Sequence, residues 1–482
     1  MEHSPLHTDF YQLTMMDGYY RAEMADLRVV FDLFFRGNPN ANGYALAAGL
    51  EQAITYVTQL RFASEEMAYL DGLGLFSSGF LSELEKFRFR GDIWAVPEGS
   101  VVFPGEPLLR VEGRIFEAQL IETALLNIIN HQTLIATKAA RVVKAAAGKA
   151  VLEFGARRAQ GMDAALYGSR AAIIGGCAGT SNTLAGMKFG VPVRGTHGHS
   201  WVMSFPSELE AFRAYADAFP DNCLLLVDTY DTLKSGLPNA IQVAKELRER
   251  GRALAGVRLD SGDLAYLSKR ARKLLDESGF PDAVIVASSD LDEEVISDLH
   301  LQSAAIDIFG VGTNLITSRQ DPALGGVYKL AAEERGGRLV PKLKISENSG
   351  KITNPGKKKV YRIYDELSGM ATADLIALED EVLDARHPLE LFDPIDTWKR
   401  KSVARFTAKE LLQPVLQQGE LVYEFPSVMS IQSFAQRELA RFPEEVKRLV
   451  NPHVYHVDLS QRLWDLKQRL IRQIRAEIAR KG

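Results

Sequence analysis

The segments CLLLVDTYDT (223–232), AIQVAKELRER (240–250) and AGVRLDSGD (255–263) decide the fold class of this chain. An apolar run of strand length ends in a polar turn, a helical pattern follows, and a second apolar run again ends in a polar turn. Two strands joined through a helix form a βαβ unit, in which the strands run parallel. These segments therefore predict an α/β fold.

The same alternation recurs through the central part of the chain, starting near residue 150. Because about seven such units follow one another, the pattern predicts an irregular (β/α) barrel. A doubly wound sheet produces the same alternation, and periodicity does not separate the two folds. The other apolar runs interpreted as strands are AVLEF (150–154), AAII (171–174), VPV (191–193), AVIVA (283–287) and AIDIF (305–309).

Changes in sequence pattern divide the chain into three predicted domains. Residues 1–118 mix a helical start with short strand-like segments and form a predicted N-terminal α+β domain. Residues 119–340 hold a helical stretch and then the barrel. Residues 341–482 form a C-terminal, partly helical region that ends in an amphipathic helix. We expect the first part of this region to pack back on the N-terminal domain.

The bulk composition limits the class of partner. The 57 basic and 62 acidic residues leave a net charge of −5, which argues against nucleic acid or an anionic membrane as the main partner. Cys177 and Cys223 are the two cysteines, so no disulfide framework is expected. The sequence has neither a secretory signal nor an apolar run of membrane-spanning length. We therefore expect a cytoplasmic protein that acts on small molecules.

Several predicted strands end in charged or glycine-rich turns, where parallel α/β folds bind their ligands. In IFGVGTN (308–314), Gly310 and Gly312 let the backbone approach a ligand closely. The N–H groups that follow these glycines can hold a phosphate. A plain strand-to-helix turn has the same sequence, so the motif alone leaves both interpretations open.

Two pairs of acidic residues also follow predicted strands: Asp228 with Asp231, and Asp260 with Asp263. Carboxylates in such turns hold magnesium or ribose hydroxyls, but Asp is also a favoured helix cap. We expect capping to account for one member of each pair. Arg258 and Asp260 lie two residues apart, so in a strand both side chains point to one side. The Arg258 guanidinium can then bind the carboxylate of a ligand or pair with Asp260.

The turn RGTHGHS (194–200) contains His197 and His199, which lie two residues apart. For a metal site, further His or Cys ligands at useful spacing are missing nearby. A neutral imidazole is also a nucleophile or a base near neutral pH. From the residues alone, a polar turn ranks first, a nucleophile or base second and a metal site third.

Taken together, these turns closely resemble those of the nicotinate phosphoribosyltransferases, a family of type II phosphoribosyltransferases. The nicotinamide enzymes of the same group resemble the chain more distantly. The similar segments run in the expected order, and the C-terminal part of the chain carries little of the resemblance. They are TDFYQLTM (8–15), EFGARRAQG (153–161), GCAGTSNTLAG (176–186), RGTHGHSWVMSF (194–205), VDTYDT (227–232), VRLDSGD (257–263), FGVGTN (309–314), KLKIS (342–346) and NPGKKKVYR (354–362).

The resemblance implies an enzyme of NAD salvage that uses Mg²⁺ as cofactor and ATP as co-substrate. Nicotinate would attack C1 of 5-phosphoribosyl 1-pyrophosphate through its ring nitrogen, which yields nicotinate mononucleotide and pyrophosphate. By the same resemblance, ATP phosphorylates His199, and hydrolysis of the phosphohistidine drives the reaction. His197 stands where the nicotinamide enzymes have an aspartate for the amide. Its presence fits an anionic substrate, which a carboxylate would repel.

The resemblance also implies how the substrates are bound. Phe154 would stack on one face of the pyridine ring. Tyr11 of a second subunit would cover the other face, so a homodimer with shared active sites is implied. Arg157 and Arg258 would bind the nicotinate carboxylate and the substrate phosphates. Which arginine binds which group stays open.

The remaining implied roles fall into three groups. Asp260 and Arg258 join His199 as catalytic residues, and the metal ligands would be Asp228, Asp231 and Asp260. Lys344 and Ser346 are weaker candidates for contacts with nucleotide phosphates. The other implied substrate-binding residues are Thr196, His197, Asp263, Gly310, Gly312 and Thr313.

The sequence leaves open three alternative functions. A nicotinamide phosphoribosyltransferase would differ in the pyridine it accepts. A quinolinate phosphoribosyltransferase decarboxylates its substrate without ATP and has no need of the GTHGHS segment (195–200). A non-catalytic NAD-precursor-binding protein would be a sensor, and a sensor needs no histidine that accepts a phosphoryl group.

Overall fold

The structure of the protein is a computed structural model that describes residues 4–347 and 351–481. The first and last residues of the predicted terminal domains lie outside the described residues. The chain forms two compact units. The first unit comprises residues 1–134, 323–426 and 433–482, and the second comprises residues 135–322 and 427–432.

Strands and helices are labelled in chain order. The strands are β1 (Arg28–Phe35), β2 (Ala45–Leu46), β3 (Asp92–Ala95), β4 (Val101–Val102), β5 (Leu109–Arg114), β6 (Ala150–Glu153), β7 (Gly179–Thr180), β8 (Leu224–Leu226), β9 (Gly256–Leu259), β10 (Val284–Ser289), β11 (Ile308–Val311), β12 (Gly326–Arg335), β13 (Arg338–Pro341), β14 (Lys358–Asp365), β15 (Ala371–Leu378), β16 (Leu389–Phe392), β17 (Arg400–Val403), β18 (Phe406–Glu410), β19 (Gln413–Gln417), β20 (Glu420–Leu421) and β21 (Val457–Leu459). The α-helices are α1 (Phe10–Arg21), α2 (Leu50–Gln59), α3 (Ser64–Gly72), α4 (Ser78–Glu85), α5 (Ile115–Leu120), α6 (Glu122–Ala145), α7 (Met162–Ile174), α8 (Thr183–Phe189), α9 (His199–Met203), α10 (Glu208–Ala218), α11 (Leu237–Glu249), α12 (Leu264–Glu277), α13 (Glu293–Leu301), α14 (Thr313–Ile316), α15 (Val428–Ala440) and α16 (Gln461–Lys481). Short 3-10 turns cover Pro39–Ala41 and Ala156–Arg158, and a π-helical turn covers Thr232–Gly236.

The second unit is built on a six-stranded sheet in the order β7-β6-β11-β10-β9-β8. Every neighbouring pair of these strands runs parallel. Helices α11, α12 and α13 connect β8, β9, β10 and β11 in sequence, as crossovers between parallel strands require. This arrangement confirms the predicted α/β class. The hydrogen-bonded ladder of the described residues ends at β7 and β8, so the closed barrel stays a prediction.

Two apolar runs of this unit were interpreted wrongly. AAII (171–174) is the last turn of α7 and not a strand. This helix is buried over residues 165–174, and a helix buried on all sides shows no polar face by which sequence could identify it. VPV (191–193) contributes a single parallel bridge, between Thr180 and Val193, and not a full strand.

The first unit contains two larger sheets. One has the order β13-β12-β1-β5-β3-β19-β20 and the other the order β18-β14-β15-β21. Strand β19 of the C-terminal region pairs antiparallel with β3 of the N-terminal part, and β12 pairs with β1. An extensive apolar core lies within this unit.

The helical predictions outside the barrel region are confirmed. Helix α5 spans residue 118, α6 occupies the stretch that follows it, and α16 forms the amphipathic C-terminal helix. Among the described helices, none has both the length and the apolar character needed to cross a membrane.

Candidate active site at the carboxyl ends of the parallel strands

A cavity of about 580 Å³ lies at the carboxyl ends of the six parallel strands. Loops that follow separate strands contribute to it, because parallel strands all end at the same edge of their sheet. The lining is strongly polar and combines arginines, histidines, hydroxyls, two carboxylates and glycines. It includes Phe154, Arg157, Arg158, Ser181, Thr196, His197, His199, Ser200, Arg258, Asp260, Ser288, Ser289, Asp290, Gly310, Gly312 and Thr313.

Arg258 and Asp260 form the charged centre of this cavity. The Arg258 Nη2 atom donates to Asp260 Oδ1 at 3.0 Å, and its Nε atom donates to Ser288 Oγ at 2.8 Å. Ser288 in turn donates to Asp260, and the Arg258 Nη1 atom donates to Thr196 Oγ1 at 3.3 Å. The guanidinium is therefore fixed on three sides, with 15% of its side chain still exposed.

Asp260 is ionised at neutral pH in this setting. Burial acts to raise the pKa of its carboxyl group, but the hydrogen bonds from Ser288 and Arg258 and the charge of Arg258 outweigh burial and lower this pKa. The cavity thus holds a fixed negative charge beside a fixed positive charge. A polar ligand can be oriented between them.

Asp228 holds the Asp260 loop in place through hydrogen bonds. Its Oδ2 atom accepts the backbone N–H of Asp260 at 2.8 Å and the Ser261 hydroxyl at 2.6 Å. Its Oδ1 atom is buried without a hydrogen-bond partner. One oxygen of Asp228 therefore holds the loop, and the other remains available as an acceptor.

His199 begins helix α9 and faces Asp260. Its Nε2 atom lies 3.8 Å from Asp260 Oδ2, and its Nδ1 atom lies 3.2 Å from Thr229 Oγ1. With 40% of its side chain exposed, the imidazole is open to a ligand in the cavity. A carboxylate beside one ring nitrogen favours the tautomer with a proton there, which leaves the other nitrogen as a nucleophile.

His197 is buried and differs from His199 in its contacts. Its Nε2 atom accepts the backbone N–H of Leu226 at 3.3 Å, and its Nδ1 atom lies 3.4 Å from the carbonyl oxygen of Gly198. The ring also packs edge-on against Tyr215. Burial lowers the pKa of His197 to about 4, so the ring is neutral at pH 7. Both of its nitrogens face protein atoms.

Phe154 presents an aromatic ring in the cavity, and Gly310 makes room for it. A Cβ atom at Gly310 would lie 2.6 Å from two ring carbons of Phe154, closer than van der Waals contact permits. The Arg258 guanidinium lies 5.7 Å from the centroid of the same ring, within range of a cation–π interaction. The aromatic ring and the cation therefore lie side by side.

The turn after β11 forms another wall of the cavity. Gly312 precedes the short helix α14, in which Thr313 is the first residue. Asn314 fixes this turn, because its side-chain amide donates to the carbonyl oxygens of Asp290 and Leu291 at 3.1 and 3.2 Å. Arg157, in the 3-10 turn after β6, is exposed and lines the same cavity.

Four predicted site residues lie outside the lining of this cavity: Tyr11, Asp228, Asp231 and Asp263. The weaker candidates Lys344 and Ser346 lie outside it as well. Asp263 caps α12 by accepting the N–H of Tyr266 at 2.9 Å. Asp231 caps the π-helical turn by accepting the N–H groups of Leu233 and Lys234. Tyr11 belongs to helix α1 of the other unit, where 49% of it is exposed. The alternative weighed for one member of each acidic pair, capping, therefore describes Asp231 and Asp263.

The predicted metal ligands are not gathered into one group. Asp228 and Asp260 are adjacent through a backbone hydrogen bond, whereas the capping role of Asp231 engages its Oδ1 atom. Within residues 4–347 and 351–481, no cluster of three or more His, Cys, Asp or Glu side chains has the geometry to hold a metal ion.

Sequence reasoning missed the contribution of β10. Ser288 bonds both Arg258 and Asp260, and Ser289 and Asp290 also line the cavity. Ser289 has a φ of +132°, a backbone conformation that L residues adopt rarely and that concentrates at functional sites. The available signal was the polar end of AVIVASSD (283–290), which follows an apolar strand as the other site turns do.

Comparisons with known proteins agree over almost the whole chain. The profile described as "Nicotinate phosphoribosyltransferase (NAPRTase) family" matches residues 150–364. The N-terminal and C-terminal domain profiles of the same enzyme match residues 6–130 and 357–467.

Individual relatives give the same result. The nicotinate phosphoribosyltransferase of Bacillus subtilis is 49% identical over 474 residues, which cover 98% of this chain and 96% of that protein. The human enzyme is 36% identical, with 95% of each chain covered. The crystal structure of human nicotinic acid phosphoribosyltransferase superposes with a TM-score of 0.84 at 33% identity, over 96% of this chain and 99% of that one. The chain belongs to the nicotinate phosphoribosyltransferase family.

Proposed function

We propose that this chain joins nicotinate to 5-phosphoribosyl 1-pyrophosphate and couples the step to ATP hydrolysis through phosphorylation of His199. The observation that carries the proposal is the single cavity in which Arg258 lies between the Phe154 ring and the Asp260 carboxylate. A flat aromatic anion needs an aromatic surface and a cation side by side. A phosphorylated sugar needs cations and backbone N–H groups.

In the proposed transfer step, the pyridine nitrogen of nicotinate forms a bond to C1 of the ribose. The C1–O bond to pyrophosphate breaks, and pyrophosphate leaves with the electron pair of that bond. The pyridine nitrogen has a free lone pair, so no residue has to remove a proton. The enzyme's task is therefore to hold the ring at C1 and to stabilise the departing charge.

The arginines and the turn after β11 are proposed to hold the anions. Arg258, fixed by Asp260 and Ser288, and the more exposed Arg157 divide the nicotinate carboxylate and the substrate phosphates between them. Gly312 and Thr313 are proposed to hold the 5′-phosphate through their backbone N–H groups. Thr196, which accepts a hydrogen bond from Arg258, is proposed to orient the guanidinium.

His199 is proposed to accept the γ-phosphoryl group of ATP. Asp260, 3.8 Å from Nε2, would keep a proton on that nitrogen, so that the Nδ1 lone pair attacks phosphorus. The N–P bond forms while the bond from phosphorus to the ADP oxygen breaks. Attack of water on phosphorus later breaks the N–P bond, releases phosphate and restores the imidazole.

His197 is proposed to select substrate by its lack of charge. A carboxylate at this position would repel nicotinate, whereas the neutral, buried imidazole does not. Because both of its nitrogens face protein atoms, we propose that His197 shapes the wall of the cavity and does not bind the substrate directly.

Mg²⁺ is proposed as cofactor, held by Asp260 and Asp228 together with substrate oxygens and water. The two carboxylates fit this role because Asp260 lines the cavity and the Oδ1 atom of Asp228 is a buried acceptor without a partner. Magnesium prefers few protein carboxylates and keeps several other oxygen ligands. When bound, it would supply positive charge to the pyrophosphate that leaves.

We also propose that the six-stranded sheet belongs to an irregular barrel. Segment 193–197 supports closure, since Val193 bridges β7 at one sheet edge and His197 accepts an N–H from β8 at the other. The three-domain division, with boundaries near residues 118 and 340, belongs to the same proposal. We also propose a cytoplasmic location. The two buried free thiols support it, because cysteines stay reduced in the cytosol.

A homodimer with shared sites is proposed from helix α1. Phe10, Tyr11 and Met15 are exposed apolar residues of this helix, as expected of a surface that a second copy covers. Tyr11 of that copy would lie against the nicotinate ring opposite Phe154.

The proposed substrate is tested by comparing product formation from nicotinate, nicotinamide and quinolinate, each with 5-phosphoribosyl 1-pyrophosphate, ATP and Mg²⁺. We expect kcat/KM for nicotinate to exceed that for nicotinamide by roughly 10²-fold or more, because an uncharged amide cannot form the charge-assisted hydrogen bonds that a carboxylate forms with Arg157 or Arg258. Efficient use of quinolinate without ATP would favour the quinolinate enzyme. Equal or better use of nicotinamide would favour the nicotinamide enzyme. No product from any of the three would favour a sensor.

Gly310→Ala is expected to raise KM for nicotinate about tenfold and to leave the fold intact, because the new methyl group displaces the Phe154 ring from its stacking position. Gly195→Ala is the matched control. It adds the same methyl group to the same cavity, but its Cβ has no atom within 4 Å. Steady-state kinetics with varied nicotinate measure both. An equal effect of the two substitutions would show that Phe154 is not a stacking surface.

A further inference from the structure

The first unit carries a separate surface pocket lined by three arginines, which we call the arginine pocket. Its volume is about 290 Å³. Arg61 follows helix α2, and Arg88 and Arg90 alternate along the segment that leads into β3, so that side chains two residues apart share one face. Thr58, Gln418 and Glu420 complete the polar lining.

The floor of the arginine pocket is fixed by the turn between β19 and β20. Gly419 has a φ of +81° and donates its N–H to the carbonyl oxygen of Gly91 at 2.9 Å. A Cβ atom at Gly419 would lie 2.5 Å from the carbonyl oxygen of Phe89, so glycine permits this close approach. Gln418 donates its N–H to Asp92 Oδ1 at 2.7 Å. The pocket is therefore formed before any ligand binds.

The positive charges of this pocket lack matching carboxylates. In the described chain, neither Arg61, Arg88 nor Arg90 has a carboxylate oxygen within ion-pairing distance. Glu420 is the one acidic side chain in the lining, which leaves a net charge of 3 − 1 = +2. By contrast, Arg213 and Arg250 on another surface pair with Glu246 and Asp217.

The arrangement also places like charges close together. The Nη1 atoms of Arg61 and Arg88 each donate to the carbonyl oxygen of the preceding residue. Burial and the nearby charge of Arg88 lower the pKa of Arg61. Two acidic side chains beside this segment are already engaged. Glu117 accepts from the Arg90 backbone N–H and from Arg114, and Asp92 accepts the Gln418 N–H. An anion in the pocket would relieve this repulsion.

We propose that the arginine pocket binds an oligophosphate, that is, a chain of two or three linked phosphates, at a site distinct from the catalytic cavity. Guanidinium groups bind phosphate oxygens through paired N–H donors, and three of them suit a ligand with several charged oxygens. Phe89, the aromatic residue of the lining, is buried and offers no face on which a base could stack. Recognition therefore rests on the phosphates.

Sodium tripolyphosphate is the probe, titrated calorimetrically at low salt into the full chain carrying Arg258→Ala. That substitution removes a cation from the catalytic cavity and so weakens anion binding there. We expect one site per chain to remain. Adding Arg61→Ala and Arg88→Ala should weaken this site by at least about tenfold, as the loss of charge-assisted hydrogen bonds predicts. The control Arg475→Ala removes one exposed cation elsewhere and should change the affinity by less than about twofold.

Circular dichroism confirms that each variant is folded. Absence of a remaining site in the Arg258→Ala protein, or equal affinity with and without Arg61 and Arg88, would overturn the proposal. Inorganic phosphate binding as tightly as tripolyphosphate would overturn the assignment of an oligophosphate. An ATP titration identifies the source once the binding that persists after Arg61→Ala and Arg88→Ala is subtracted as binding to the catalytic cavity. A remaining affinity above that of tripolyphosphate indicates a nucleotide, and an equal or lower one indicates a free oligophosphate.

Discussion

Asp260→Asn is expected to lower kcat by roughly 10²- to 10³-fold, the range found when one preorganised electrostatic contact is removed from an active site. Asn keeps the size of the side chain and removes its charge. Arg258 then loses its carboxylate partner at 3.0 Å, and His199 loses the negative charge 3.8 Å from Nε2. Both proposed functions of the cavity, anion binding and phosphoryl transfer, therefore weaken together.

Asp263→Asn is the matched control, because it makes the same change three residues away in the same loop. Asp263 caps α12, and Asn caps a helix as well as Asp does. Its kcat should stay within about twofold of the unsubstituted protein. Steady-state kinetics and thermal unfolding on both variants separate catalysis from stability. A normal kcat for Asp260→Asn would reduce Asp260 to a structural partner of Arg258.

His199→Ala is expected to abolish acid-labile labelling of the protein by [γ-³²P]ATP. The imidazole faces the cavity between Asp260 and Thr229, and alanine offers no nucleophile. The transfer of phosphoribose itself needs no phosphoryl acceptor, so a slow, ATP-independent reaction should persist. Nicotinate affinity should change by less than about threefold, because Phe154, Arg157 and Arg258 remain.

The control for this variant is His387→Ala, which removes a highly exposed histidine of the first unit and should leave the label unchanged. Labelling, acid quenching and peptide mapping locate the phosphoryl group. Full labelling of His199→Ala would assign the phosphoryl group to another residue and would remove the proposed coupling. Complete loss of the ATP-independent reaction would show that His199 acts in the transfer step itself.

The part of the site that could be predicted depends on sequence-local geometry. In a strand, residues two apart point to one side, which is why Arg258 and Asp260 were expected to meet, and they do. Parallel strands also end at one edge, so their turns were expected to converge. The predicted residues that line the common cavity are Phe154, Arg157, Thr196, His197, His199, Arg258, Asp260, Gly310, Gly312 and Thr313.

The part that could not be predicted depends on which atoms each side chain contacts. Asp260 and Asp263 have the same type of side chain in one loop, yet the first lines the cavity and the second caps a helix. The amino-acid sequence does not distinguish a ligand-binding Asp from a helix-capping Asp, since Asp suits both roles. Ser288 was missed for the same reason: its two bonds to the Arg258–Asp260 pair follow from the register of neighbouring strands.

Long-range pairing explains the other omissions. The arginine pocket joins residues 58–61, 88–90 and 416–420. The last two of these segments come together because β19 pairs with β3. Sequence periodicity carries no information about partners so distant in the chain.

The helix that contains residues 171–174 was misassigned because burial on all sides removes the polar face that marks a helix.

A crystal structure of the protein with nicotinate and a non-reacting analogue of 5-phosphoribosyl 1-pyrophosphate tests the central claim most directly. We predict the pyridine ring stacked on Phe154, its carboxylate on Arg157 or Arg258, and the sugar phosphate at Gly312 and Thr313. A pyridine ring bound outside this cavity, with Arg258 and Asp260 in contact with protein atoms alone, would contradict the account.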